Sequence, residues 1–201
     1  MTPRNKYIEE QMKDWRTKRF RAHQARFLEQ PDPTRTHNNN ALWLINWQKS
    51  GTWVYGMRFI ITGQWLCVMG DAGEATYQWS ETITPGFLSG LDFGYFRSKC
   101  QASPTGRRWD DFDHEVGLAE LRSCEDPMVI EYPALREIIH SGKFPDKDTW
   151  DLMCQEVYDH AGDAELASML SELPMVPHTM QIGHFVGMQM ALEQLYPGGF
   201  A

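Results

Sequence analysis

Apolar and polar residues alternate with a period of two between residues 41 and 79, and with a helical period on either side of that stretch. "ALWLINW" (41–47) is a short apolar run followed by the turn-like "QKSG". "TWVYGMRFII" (52–61) places Trp53, Tyr55, Met57, Phe59 and Ile61 on one face of a strand. "QWLCVM" (64–69) is a third strand and "EATYQW" (74–79) a fourth, with Ala75, Tyr77 and Trp79 opposed to Glu74, Thr76 and Gln78. The connections are short, which favours antiparallel hairpins. The stretch therefore predicts a four-stranded antiparallel meander with one aromatic face for helices to cover.

The tightest connection is "GDAG", Gly70-Asp71-Ala72-Gly73. Asp and Gly adopt the positive φ of hairpin turns, and an Asp side chain accepts hydrogen bonds from N–H groups of its own turn. Gly70, Asp71 and Gly73 are thus read as a structural turn. A carboxylate catalyst needs a partner, and only Glu74 lies nearby in the sequence.

The flanking regions read as helices, about six after the meander. In 5–29, Ile8, Met12, Trp15 and Ala22 repeat on one face while Lys13, Arg16, Lys18, Arg19 and Arg21 crowd elsewhere. "QPDPTRTHNNN" (30–40) and "QASPTGRR" (101–108) read as loops. Thr84-Pro85 is a helix start, and Asp92 can cap a short helix. Further helices are expected at 109–124, at 133–142 with Gly142 as its stop, after a cap at Asp146 or Asp148, before Pro174, and over 178–196. The last is nearly uncharged, which argues for burial or an interface, and its Gly183 and Gly187 permit close packing. The expected class is α+β: one domain over 1–201, with a basic N-terminal helix at 1–29, a sheet at 41–79 and a helical part at 84–196.

Length and composition exclude some classes. A chain of 201 residues with 8 Trp, 10 Phe and 11 Met can build a core without a metal or disulfide staple. No apolar run approaches the roughly 20 residues of a membrane span, and the charged start "MTPRNKYIEEQMKDW" has no apolar signal region, so secretion is not expected. A cytoplasmic protein with reduced thiols is expected, since Cys67, Cys100, Cys124 and Cys154 are far apart.

Charge changes the picture more. The formal net charge is −8, yet residues 1–29 carry eight Lys/Arg against four Asp/Glu. Residues 109–172 carry four against 17. Solvated helix faces are the commonest cause of such a run; an acidic contact surface including Asp110, Asp111, Asp113, Glu115, Asp148 and Asp151 is the sharper reading. "WDDFDHE" (109–115) also holds metal-ligand chemistry, because on a helix Asp110, Asp113 and His114 share a face. It lacks the spacing of a calcium loop, and first-turn acids that favour a helix dipole explain it as well. No metal or other cofactor is therefore called for. Walker, dinucleotide, nucleophile-elbow and H-E-x-x-H motifs are absent.

The stretch from Tyr55 to Ser103, with Gly70-Asp71-Ala72-Gly73 and then Leu91 through Cys100 ("LDFGYFRSKC"), resembles a family of small proteins encoded by phages, prophages and plasmids. The resemblance supplies no catalytic residues. It implies a protein that acts on host machinery by binding and blocking, as anti-CRISPR and other anti-defence proteins do. The expected function is a mobile-element inhibitor that binds a host defence complex of CRISPR type by protein–protein contact, imitating a polyanion. Its partner would be a host protein or ribonucleoprotein with a basic surface. Two alternatives stand beside it. One is a metal-dependent enzyme acting on a nucleotide or nucleic acid through Asp71 or the acids of 110–115. The other is a nucleic-acid-binding regulator that uses the basic N-terminal helix.

Overall fold

The computed structural model describes residues 1–31, 41–104, 110–125, 129, 132–161 and 164–200. Residues 32–40 of the expected loop at 30–40, residues 105–108 of that at 101–108, and Trp109 therefore lie outside the described residues. The chain divides into two compact units: Glu10–Trp109 with His178–Ala201, and Met1–Glu9 with Asp110–Pro177. The class is α+β, with eight α-helices among the described residues.

The first unit is built on a six-stranded antiparallel sheet, not the expected four-stranded one. Its strands are β1 (His23–Glu29), β2 (Leu42–Lys49), β3 (Met57–Thr62), β4 (Trp65–Gly70), β5 (Ala75–Gln78) and β6 (Cys100–Ala102), in sequential order. The added strands lie at the two edges. Helix α1 (Pro3–Asp14) continues through a π-helical turn (Trp15–Arg19) and stops there, so 23–29 is strand rather than the end of a basic helix. The pairing of Ala25 with Trp47 and Phe27 with Ile45 overrides the helical spacing. Gln101 and Ala102, expected in a loop, belong to β6.

The period-two reading holds where the strands are regular. Met57, Phe59 and Ile61 share a buried face with Leu66 and Val68, and with Ala75 and Tyr77. Trp53 and Tyr55 do not belong to it, because β3 begins only at Met57 and residues 50–56 form a loop. The last helix, α8 (Thr179–Leu195), is buried continuously from Gln181 to Met188. Its two glycines explain the approach. A Cβ at Gly183 would stand 2.7 Å from the Trp15 ring, and one at Gly187 would stand 2.3 Å from Met57 Cε. The expected close packing is real, but its partners are the π-helical turn and β3. Two short helices, α2 (Pro85–Ser89) and α3 (Phe93–Ser98), start at the expected caps. Thr84 Oγ1 accepts from the Phe87 N–H, and Asp92 Oδ1 from that of Tyr95.

The second unit is mainly helical. It contains α4 (His114–Ser123), α5 (Pro133–Ser141), α6 (Lys147–Ala161) and α7 (Ala164–Glu172), with a two-stranded ribbon of β7 (Asp110–Phe112) and β8 (Met175–Pro177). Leu121, Leu135, Trp150, Val157 and Leu170 form its core. Trp150 stacks on Phe144 at 4.5 Å and donates its indole N–H to the Leu170 carbonyl at 3.1 Å. Gly142 ends α5 in the left-handed conformation at φ +68°. Asp146, rather than Asp148, caps α6, accepting from the Thr149 N–H at 2.9 Å.

Candidate functional site

Gly70, Asp71 and Ala72 each meet a residue outside their own turn. Gly70 ends β4 at φ +147°, and a Cβ there would lie 2.1 Å from the Gly56 carbonyl oxygen. Glycine is thus required for the loop before β3 to approach. The positive φ angles fall on Gly70 and Gly73, not on Asp71. The Asp71 carboxylate reaches out of its own turn and accepts the Tyr55 N–H at 2.8 Å, while its own N–H donates to the Gly56 carbonyl at 3.0 Å. Tyr55 sits at φ +55°, an uncommon conformation for an aromatic residue. Two bonds from one residue hold that strained loop. The Tyr55 ring then meets Trp15 edge-on at 5.3 Å, and the Arg19 guanidinium lies 4.4 Å above the Trp15 ring.

The turn is pinned from below as well. His184 Nε2–H donates to the Ala72 carbonyl at 2.9 Å, which leaves Nδ1 to accept from the Tyr77 hydroxyl at 3.2 Å. His184 is completely buried. Burial disfavours the imidazolium and pulls its pKa down to about 4, so this ring is a neutral structural bridge near neutral pH. Burial also holds the Tyr77 hydroxyl well above its usual range. His184 was among seven scattered histidines in the sequence, and only the low charge of its helix marked it.

The basic residues of the N-terminal segment are largely engaged within the chain. Arg16 makes a bidentate pair with Glu193, both bonds at 2.9 Å. Lys18 and Arg19 share Asp14 at 2.8 and 2.9 Å. These pairs hold the Asp14 carboxyl below its usual range, the Lys18 hydrogen bond being the largest cause. Lys13 and Arg21 are exposed and carry no ion pair among the described residues.

The acidic candidates separate into two groups. Asp110 and Asp111 lie in β7 opposite Pro177 and Val176, so Asp110, Asp113 and His114 do not share a helix face. Asp113 is the N-cap of α4, accepting from the Val116 N–H at 2.9 Å. Among the described residues no three His, Cys, Asp or Glu side chains gather as a metal-holding group. Glu115, Asp148 and Asp151 are exposed. The exposed residues of α6 include Asp148, Asp151, Leu152, Gln155 and Asp159, which form one stripe at helical spacing. Lys147 pairs with Asp151, and Gln155 donates to Asp159 at 2.8 Å.

The division into units also divides the charge. The unit of Met1–Glu9 and Asp110–Pro177 has 18 Asp/Glu against six Lys/Arg, a formal −12. The sheet unit has nine against 13, or +4. The segment count visible in the sequence is therefore the property of one folded body. None of the four cysteines is in a disulfide, and burial together with Asp151 pushes Cys154 up to about 11. No helix among the described residues is long and apolar enough to cross a membrane. Compared with protein-family models, curated proteins and solved structures, the chain matches none.

Proposed function

We propose that the protein acts by binding rather than by catalysis, through the acidic helical unit docked on a basic surface that normally holds nucleic acid. The observation that carries this reading is the −12 formal charge on one compact unit, with Glu115, Asp148, Asp151 and Asp159 turned to solvent. A field of one sign raises the association rate with a complementary partner and rejects partners of like charge. Helix α6 adds the exposed Leu152 within its acidic stripe, an apolar contact that bare charge would lack. Together with the resemblance to proteins of phages and plasmids, the partner class is a host nucleic-acid-guided defence complex, blocked by occupation of its nucleic-acid channel. The internal pairing of Arg16, Lys18 and Arg19 weighs against the basic segment as a nucleic-acid-binding arm.

The test is competition. Purified protein is added to a CRISPR-type effector complex, and capture of a labelled target strand is followed by fluorescence anisotropy. The expected result is loss of capture at low salt and recovery as salt is raised, because exposed charges are screened within about 10 Å at 0.1 M. Unchanged capture across a panel of such complexes would overturn the reading.

A further inference from the structure

The face of the sheet opposite the core carries a small polar pocket of about 170 Å³ on β1 and β2, lined by Gln24, Arg26, Asn46, Gln48 and Ser50. Asn46 is the informative residue. It is 2% exposed, and its side-chain amide nitrogen has no hydrogen-bond partner. A buried donor left unpaired is destabilising, and an acceptor bound in the pocket would satisfy it.

Strand register places two cations beside it. Asn46 pairs directly with Arg26 on β1 and with Arg58 on β3. Arg26 lines the pocket, and Arg58, outside that lining, is the direct neighbour of Asn46 on its other side; such neighbours have Cβ atoms about 4.5–5.5 Å apart. Arg58 stacks over the Trp53 ring at 5.3 Å, which orients it while leaving its in-plane N–H donors available. Neither arginine has a carboxylate partner among the described residues. No acidic side chain lines the pocket. Arg26 and Arg58 thus flank the buried orphan donor from two strands about 10 Å apart.

We propose that Arg26, Asn46 and Arg58 form a binding site for a small oxyanion, a carboxylate or phosphate group, at the pocket on the outer face of β1–β3. A guanidinium fork matches two oxygens of such groups with paired N–H bonds, and the Asn46 amide supplies the central donor. Gln24, Gln48 and Ser50 give the polar wall. This site belongs to the sheet unit and is independent of the acidic-surface reading.

The full chain is titrated with inorganic phosphate and, separately, with acetate, each against sodium chloride at matched ionic strength. The readout is the Asn46 side-chain amide signal by NMR. A saturable shift with phosphate alone identifies a phosphate site, and one with both anions identifies a general oxyanion site. Either outcome supports the proposal. Arg26→Gln and Arg58→Gln, both at exposed positions, should each weaken binding at least tenfold. Asn46→Asp should abolish it while the chain stays folded, because the new carboxylate then occupies the place between the arginines. A shift that chloride reproduces, no saturable shift with either anion, or binding unchanged in both arginine variants would overturn the proposal.

Discussion

The two units use charge in opposite ways. In the sheet unit several ionised groups are consumed by the structure, Arg16 on Glu193, Arg19 and Lys18 on Asp14, Asp71 on the Tyr55 backbone and Asp92 on its helix start, while Arg26 and Arg58 have no carboxylate partner among the described residues. In the helical unit a few acids work in this manner, Asp113 and Asp146 as caps, while Asp148 and Asp159 stand on an exposed stripe far in excess of the available cations. The lesson is that a count of charges says little about binding until the internal partners are subtracted. The subtraction reduces the basic segment, while the helical unit keeps its excess of 18 Asp/Glu over six Lys/Arg.

The comparison can be broken at several levels of energy. The largest effect is expected from Trp150→Ala, which removes a fully buried ring and its hydrogen bond from the helical unit. Loss of about 3–5 kcal/mol is expected in urea denaturation. A small change would mean that the acidic unit lacks the defined core that must present its surface.

Next comes pH. His184 has a folded pKa of about 4 against about 6.5 in the unfolded chain, so the unfolded state takes up the proton first as pH falls. Its contribution to stability is fully present above about pH 6.5 and is lost progressively down to about pH 4, about 3 kcal/mol in all. Comparison with His184→Gln isolates this loss from carboxylate titration. The difference in stability between the two proteins should shrink across that window, and a constant difference would contradict the buried neutral ring.

Gly183→Ala should cost about 1–3 kcal/mol by driving a methyl group into the rigid Trp15 ring. The smallest effect is expected at Arg16→Ala. Its pair with Glu193 has side chains 47% and 56% exposed, so a loss of about 0.2–1 kcal/mol, shrinking with salt, is the expected thermal-melt result.

These contrasts also show what could be read from the residues. Local signals were legible: the alternation in β3 to β5, the caps at Thr84 and Asp92, the stop at Gly142. Partners distant in sequence were not. His23–Glu29 carries a helix-compatible pattern and becomes a strand only because β2 lies beside it. Asp110–Phe112 leaves its expected helix to pair with Met175–Pro177. The turn at Gly70–Gly73 was legible, but the Asp71 carboxylate bonds Tyr55, 16 residues away, rather than its own turn. The His184 bond to Ala72 spans 112, and nothing in either local sequence announces it. Likewise the orphan donor of Asn46 sits in an apolar run and emerges only when register brings Arg26 and Arg58 to its sides.

The most direct test of the central claim is affinity capture from bacterial lysate at low and high salt, with wild-type protein and an Asp148→Asn, Asp151→Asn, Asp159→Asn variant as paired baits. Bound proteins are identified by mass spectrometry. The account predicts that wild type retains a nucleic-acid-binding defence complex at low salt, and that high salt or the three substitutions release it. Equal capture by both baits at both salts, or no such complex on the wild-type bait, would contradict it.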